Sequence, residues 1–188
     1  MGRSVQALSE DDRRLVAGWA ADCAERVLGV FEAHVPADGR PRAAIARARA
    51  FSRGELTTAA EIRRRFVGGV PASELTVPAA AAAARAAGQA VGVCHMGAHA
   101  LGAAGYAAAA AGLAAPEDPT ATADEIAWQL AHMTAEVRAA LHTLPRVGTN
   151  RSGPLGPGLL ASGQIGANIR QLQAHLVDPK AQTPGRST

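Results

Sequence analysis

The residues best suited to chemistry lie in CHMGAHALGAAGYA, residues 94–107. His95 and His99 stand four apart in a run of alanine and glycine, and Tyr106 follows seven residues later. Three readings compete: a metal site, an acid/base pair, or packed core. His-x-x-x-His sets two imidazoles side by side on a helix. The residues between them, Met96-Gly97-Ala98, lack the glutamate of a zinc-protease motif, and no third ligand stands at a diagnostic spacing. We therefore expect no metal and no cofactor. An acid/base pair needs only a group that orients one imidazole and a proton donor beside it. Asp22 is the candidate orienter and Tyr106 the candidate donor, with His95 or His99 as the base. Core packing stays open too, because a buried histidine is often satisfied by a neighbouring helix.

These residues need an element to carry them. From Ala86 to Ala115 there is no Asp, Glu, Lys or Arg. Pro78 suits the first turn of a helix, and the composition predicts one long helix from there to about Leu113. On a helical wheel, His95, His99, Tyr106, Gly88, Gly92 and Gly102 then share a face within about 80°. Glycine inside a helix costs about 1 kcal/mol against alanine. Either another helix passes very close to that face, or a ligand fills the room above the glycines. Alanine and glycine insert poorly into a bilayer, so we expect no membrane span.

The partner for that helix comes from the start of the chain. Ser9 to Asp12 has the form of a capping box. Leu15, Trp19, Cys23, Val27 and Phe31 recur every fourth residue, which predicts one helix of about six turns. VPADGRP (35–41) ends it. Asp22 falls on the shoulder of the apolar stripe, where it either pairs with an arginine or faces a histidine. A histidine so paired would be oriented and its pKa raised. Asp38, Arg40 and Arg42 follow the helix. They form either a joint between helices or a clamp for an anion. Trp19, Glu25, Arg40, Arg42, Met96, Gly102 and Trp128 are the candidate substrate contacts.

Further helices are expected at about 41–53, 57–67, 122–141 and 164–177, with a turn-rich connection at 68–78. RVGTNRSGPLGPGLLASG (146–163) reads as a loop or lid, and DPKAQTPGRST (178–188) as a disordered tail. No alternating strand pattern occurs. The expected fold is all-α: a compact bundle of five to six helices in all, four or five of them in a helical domain over 1–145, with the loop, the terminal helix and the tail of 146–188 packing on the same domain. Ile165, Ile169, Leu172 and Leu176 either close the bundle or pair with a second copy in a homodimer.

Composition bounds the rest. Aromatics are 3% of the chain against 48% hydrophobic, so the core is built from small side chains. The net charge is +3, the basic residues are scattered, and aromatics do not interleave with them, so no nucleic-acid partner is expected. The two cysteines, Cys23 and Cys94, make no framework. Free thiols and a start without an apolar leader point to the cytoplasm.

Three stretches carry a resemblance. WAADCAERVLGVFEAHVPADGRPRAAIARARAFSRGE (19–55), CHMGAHALGAAGYA (94–107) and AWQLAHMTAEVRAAL (127–141) resemble, in order, the motifs of the Imm-5-like domain. That is a helical family named for immunity and common in actinobacteria. The resemblance implies a toxin protein as partner. Asp22, Glu25, Asp38, Arg40, Arg42, His95, His99 and Tyr106 match its patterned polar positions. Residues 62–78 and the chain after Leu141 depart from it. On the residues, our leading expectation is a cofactor-free enzyme or binder of a small organic molecule. Its chemistry would be a dehydratase, cyclase or isomerase step in natural-product biosynthesis. The alternative is an immunity protein that neutralises a toxin by binding it.

Overall fold

The computed structural model describes residues 4–64 and 75–176. The helices are α1 (Glu10–Arg26), α2 (Leu28–Glu32), α3 (Arg40–Ser52), α4 (Thr58–Arg64), α5 (Pro78–Gly92), α6 (His99–Ala114), α7 (Ala121–Ala131), α8 (Ala135–His142) and α9 (Gly163–Leu176), with one 3₁₀ turn at Leu159–Ala161. No strand occurs among the described residues. The end of the expected third helix, most of the 68–78 connection and the tail from 177 lie outside the described residues.

The bundle is built around α6. Every residue from Ala100 to Ala110 is buried, the mark of a helix enclosed on all sides. It packs on α1, α5, α7 and α9. Glycines set how closely these approach. A Cβ on Gly105 would lie 2.8 Å from Ile169 Cγ1, and one on Gly112 would strike the Thr122 hydroxyl. Ile169 and Leu172 are fully buried, so the α9 stripe closes this bundle and is not left for a second copy.

Three expected helices are each broken in two, so nine α-helices stand among the described residues where six were expected. The first breaks at Val27, and α2 then turns Leu28 and Phe31 into the core against α5. The second breaks at residues 93–98. There the amides of Gly97 and Ala98 donate to the carbonyls of Ala7 and Gln6, at 3.2 and 3.0 Å, instead of to their own helix. The amino-terminal segment thus crosses the chain at this turn, and Gly97 leaves room for Leu8. The third breaks before α8, where the Thr134 side chain accepts from the Val137 amide at 3.2 Å and starts a new helix.

The stretch expected as a lid is tied down. Gln6 is buried, donates from Nε2 to Ser152 O at 2.6 Å, and accepts from the Leu155 amide at 2.9 Å. Gln173 accepts from the Val147 amide and donates to Pro145 O. Leu155 is fully buried.

Candidate functional site

Because α5 ends at Gly92 and α6 begins at His99, His95 sits in the intervening turn and not on a helix. The wheel that aligned it with Gly88, Gly92, Gly102 and Tyr106 therefore does not apply. The two imidazoles still meet, edge to face, with ring centroids 5.2 Å apart. α5 and α6 fold back on each other as a hairpin, and the turn lays His95 over the start of α6.

The room left by the glycines is filled from within. A Cβ on Gly92 would lie 3.1 Å from the His99 ring. One on Gly102 would meet Gln89 Oε1, and would lie 2.9 Å from Leu160 of the 3₁₀ turn. Close approach, not a ligand, explains both glycines. Gln89 Oε1 lies 2.8 Å from His99 Nδ1. An amide oxygen only accepts, so Nδ1 carries the hydrogen and the lone pair sits on Nε2. Burial, and after it the neighbouring His95, together lower the His99 pKa to about 4. A facing carboxylate would have pushed it upward.

Asp22 binds elsewhere. Its carboxylate lies 2.8 Å from Arg49 of α3, which also pairs with Glu25. Tyr106 is on α6 two turns beyond His99, about 10 Å along the axis, and is buried with the Arg85 guanidinium 6.0 Å from its ring centre. Met96 is partly buried in the turn. Arg40 pairs with Asp38 at 2.7 Å and Arg42 with Glu32 at 2.7 Å. The DGRPR stretch is therefore a joint between helix ends. Cys94 Sγ lies 3.7 Å from His95 Nδ1, a contact between neighbours that a helix would have prevented. Burial lifts the Cys94 thiol to about 11, so it carries no thiolate at neutral pH. Burial likewise raises the Cys23 thiol. Among the described residues, no three His, Cys, Asp or Glu side chains cluster as for a metal ion. No described helix is long and apolar enough to cross a membrane.

The other candidates gather on the outer face of α1. A groove of about 480 Å³ runs past Asp11, Leu15, Gly18, Trp19, Asp22, His132 and Val137. It adjoins a second, about 370 Å³, lined by Asp22, Glu25, Arg26, Trp128 and His132. Trp128 stacks on His132 with centroids 3.9 Å apart, and Arg26 lies 4.1 Å from its ring centre. Arg26 is held by buried Glu125 at 2.8 Å. Trp19 is almost fully buried and donates from its indole to Gln129 O at 3.0 Å, so only its edge reaches the groove. Sequence reasoning missed three things here. Leu15 is 43% exposed and belongs to the groove, not the core. Trp128 and His132 stand four apart, the spacing that stacks side chains on a helix, yet only Trp128 is a candidate on sequence grounds. Gln89, the lone amide in the uncharged run, was the partner of His99.

Residues 6–136 match the family described as "Imm-5 like putative immunity protein". No curated protein and no solved structure matches the chain.

Proposed function

Since the chain belongs to the Imm-5-like family, we propose that it is an immunity protein, one that neutralises a toxin by binding it with its outer surface. The observation that carries this reading is the closure of the histidine turn. Gln89, Leu160 and the His99 ring itself take the space over Gly92 and Gly102. Catalysis would ask for room at the base and for an accessible pKa near neutrality. His99 is partly buried with a pKa lowered to about 4, and Asp22 is engaged by Arg49. The candidate substrate contacts Trp19, Glu25 and Trp128 line surface grooves and not a pocket at the histidines.

Protection is the direct test. The toxin domains encoded next to the gene in the source genome are expressed in a sensitive host, with and without this chain. Wild type should restore growth against one of them. A variant carrying His95→Gln and His99→Gln, if still folded, should protect as well. Failure of that folded variant, with wild type protecting, would return the histidines to a chemical role.

A further inference from the structure

Building on the immunity reading, we propose that the groove along α1 is the docking surface, and that its occupant is a basic segment of the toxin presenting one apolar side chain.

The shape comes from the helix. Asp11, Leu15, Gly18, Asp22 and Glu25 repeat at intervals of four and three, which places them on one face of α1. That face runs about 21 Å from Asp11 to Glu25. Gly18 forms the low floor, with Ser52 of α3 close beside it. Val137 of α8, with Trp128 and His132 of α7 and its end, rises on the other side. Leu15, the edge of Trp19 and Val137 form an apolar floor near the middle of the stripe. Leu15 is one of four large hydrophobic residues exposed among those described, and it lines the groove.

The charge comes from how the pairs are arranged. Three carboxylates line the groove: Asp11, Asp22 and Glu25. Two guanidinium groups line it, Arg14 and Arg26, and each is already paired with a carboxylate outside the lining, Glu10 and Glu125. Asp22 and Glu25 share a single arginine, Arg49. Their side chains are 43% and 52% exposed while that of Arg49 is 34% exposed, so the acids stand further out. The groove is acidic on a chain whose net charge is +3. Its complement is a cationic segment, steered by the carboxylates at both ends and anchored in the middle by an apolar side chain.

The probe is the toxin domain against which the wild-type chain protects, disabled at its active site and titrated in a calorimeter. Leu15→Asp and the pair Asp11→Lys with Glu25→Lys should each weaken binding about tenfold or more. All three positions are exposed, so the melting temperature should fall by no more than the few degrees that the lost Glu25–Arg49 surface pair and the first-turn charge of Asp11 are worth. Raising the salt should slow association of wild type and slow the charge-reversed variant less. If folded groove variants bind as tightly as wild type, the docking surface is elsewhere while the immunity reading stands. If wild type neither protects against nor binds any neighbouring toxin, both fall. If Leu15→Asp instead abolishes a concentration-dependent dimer of this chain in sedimentation, the occupant is a second copy and the proposal is overturned.

Discussion

The histidine turn and the α1 groove hold similar residues under opposite conditions. Each contains histidine, a polar partner and a glycine that lowers the helix surface. At the turn, the space above the glycines is taken by side chains of the same chain. In the groove, a Cβ on Gly18 would meet only the Ser52 side chain, its hydroxyl at 2.9 Å, and about 480 Å³ alongside stays open. His99 spends its Nδ1 on Gln89 and is partly buried, whereas His132 is exposed and stacks on Trp128. Residue type drew attention to the first region. Exposure and partners assign the second to recognition. The contrast has a measurable form: changes at the turn should cost stability, and changes in the groove should cost binding.

The largest stability effect is expected at Gly102. A leucine there drives a side chain into Gln89 and into Leu160, and Leu160 is buried and held in the core. Overpacking of this kind costs about 3 kcal/mol. Urea unfolding of Gly102→Leu should show the lowered midpoint, and an unchanged midpoint would mean the turn has slack that a ligand could use.

Acid should reveal the same burial. The His99 pKa is lowered from 6.5 to about 4 in the folded chain. Between those values the unfolded chain binds a proton that the folded chain refuses. Stability therefore falls as pH drops from 6.5 to 4, and this contribution levels off below 4. The loss is about 3 kcal/mol by the size of the shift. His99→Gln, with no titrating group, should flatten that part of the profile. A profile equally steep in both proteins would place the acid sensitivity elsewhere.

Groove variants bound the comparison from the other side. Trp128→Ala removes the stack on His132 and the contact with Arg26. The ring is only partly buried, and the cost should be about 1 kcal/mol, within the range for exposed aromatic and cation–π contacts. Thermal unfolding measures it. A loss as large as that of Gly102→Leu would make Trp128 part of the core.

How much of this was legible follows from where each cause lies. The all-α class came from period and composition, both local. The Leu15-to-Phe31 repeat misled because a step of four advances about 40° past a full turn. Four such steps rotate the stripe about 160°, so its ends cannot face one core from a straight helix. Leu15 accordingly turns outward at 43% exposure, and the helix breaks at Val27 before Phe31 turns inward. The break before His99 had no local sign, because its cause is the carbonyls of Gln6 and Ala7, some ninety residues earlier. Thr134, whose side chain caps α8, stands inside the stretch expected as one helix over 122–141. Asp22 depended on the register between α1 and α3, which decides that Arg49 reaches it. His95 and His99 do meet, by a turn rather than by the helical spacing that singled them out.

The smallest effect has the opposite sign and tests the role of the glycines most directly. Gly88 shared the expected face with Gly92 and Gly102, yet a Cβ there meets nothing within 4 Å. It lies inside α5, where glycine leaves the unfolded chain needless freedom. Alanine fits the helical backbone without strain, so Gly88→Ala should stabilise the protein by about 0.5–1 kcal/mol. Gly92→Ala, one turn on, sets a methyl 3.1 Å from the His99 ring. That contact is tight enough that the ring must shift, and the gain in chain entropy should be offset or reversed. The same substitution at two glycines of one helix thus separates chain entropy from the closeness of the histidine. Equal gains at both would show that the ring has room to retreat, and the closure of the turn would lose its physical basis.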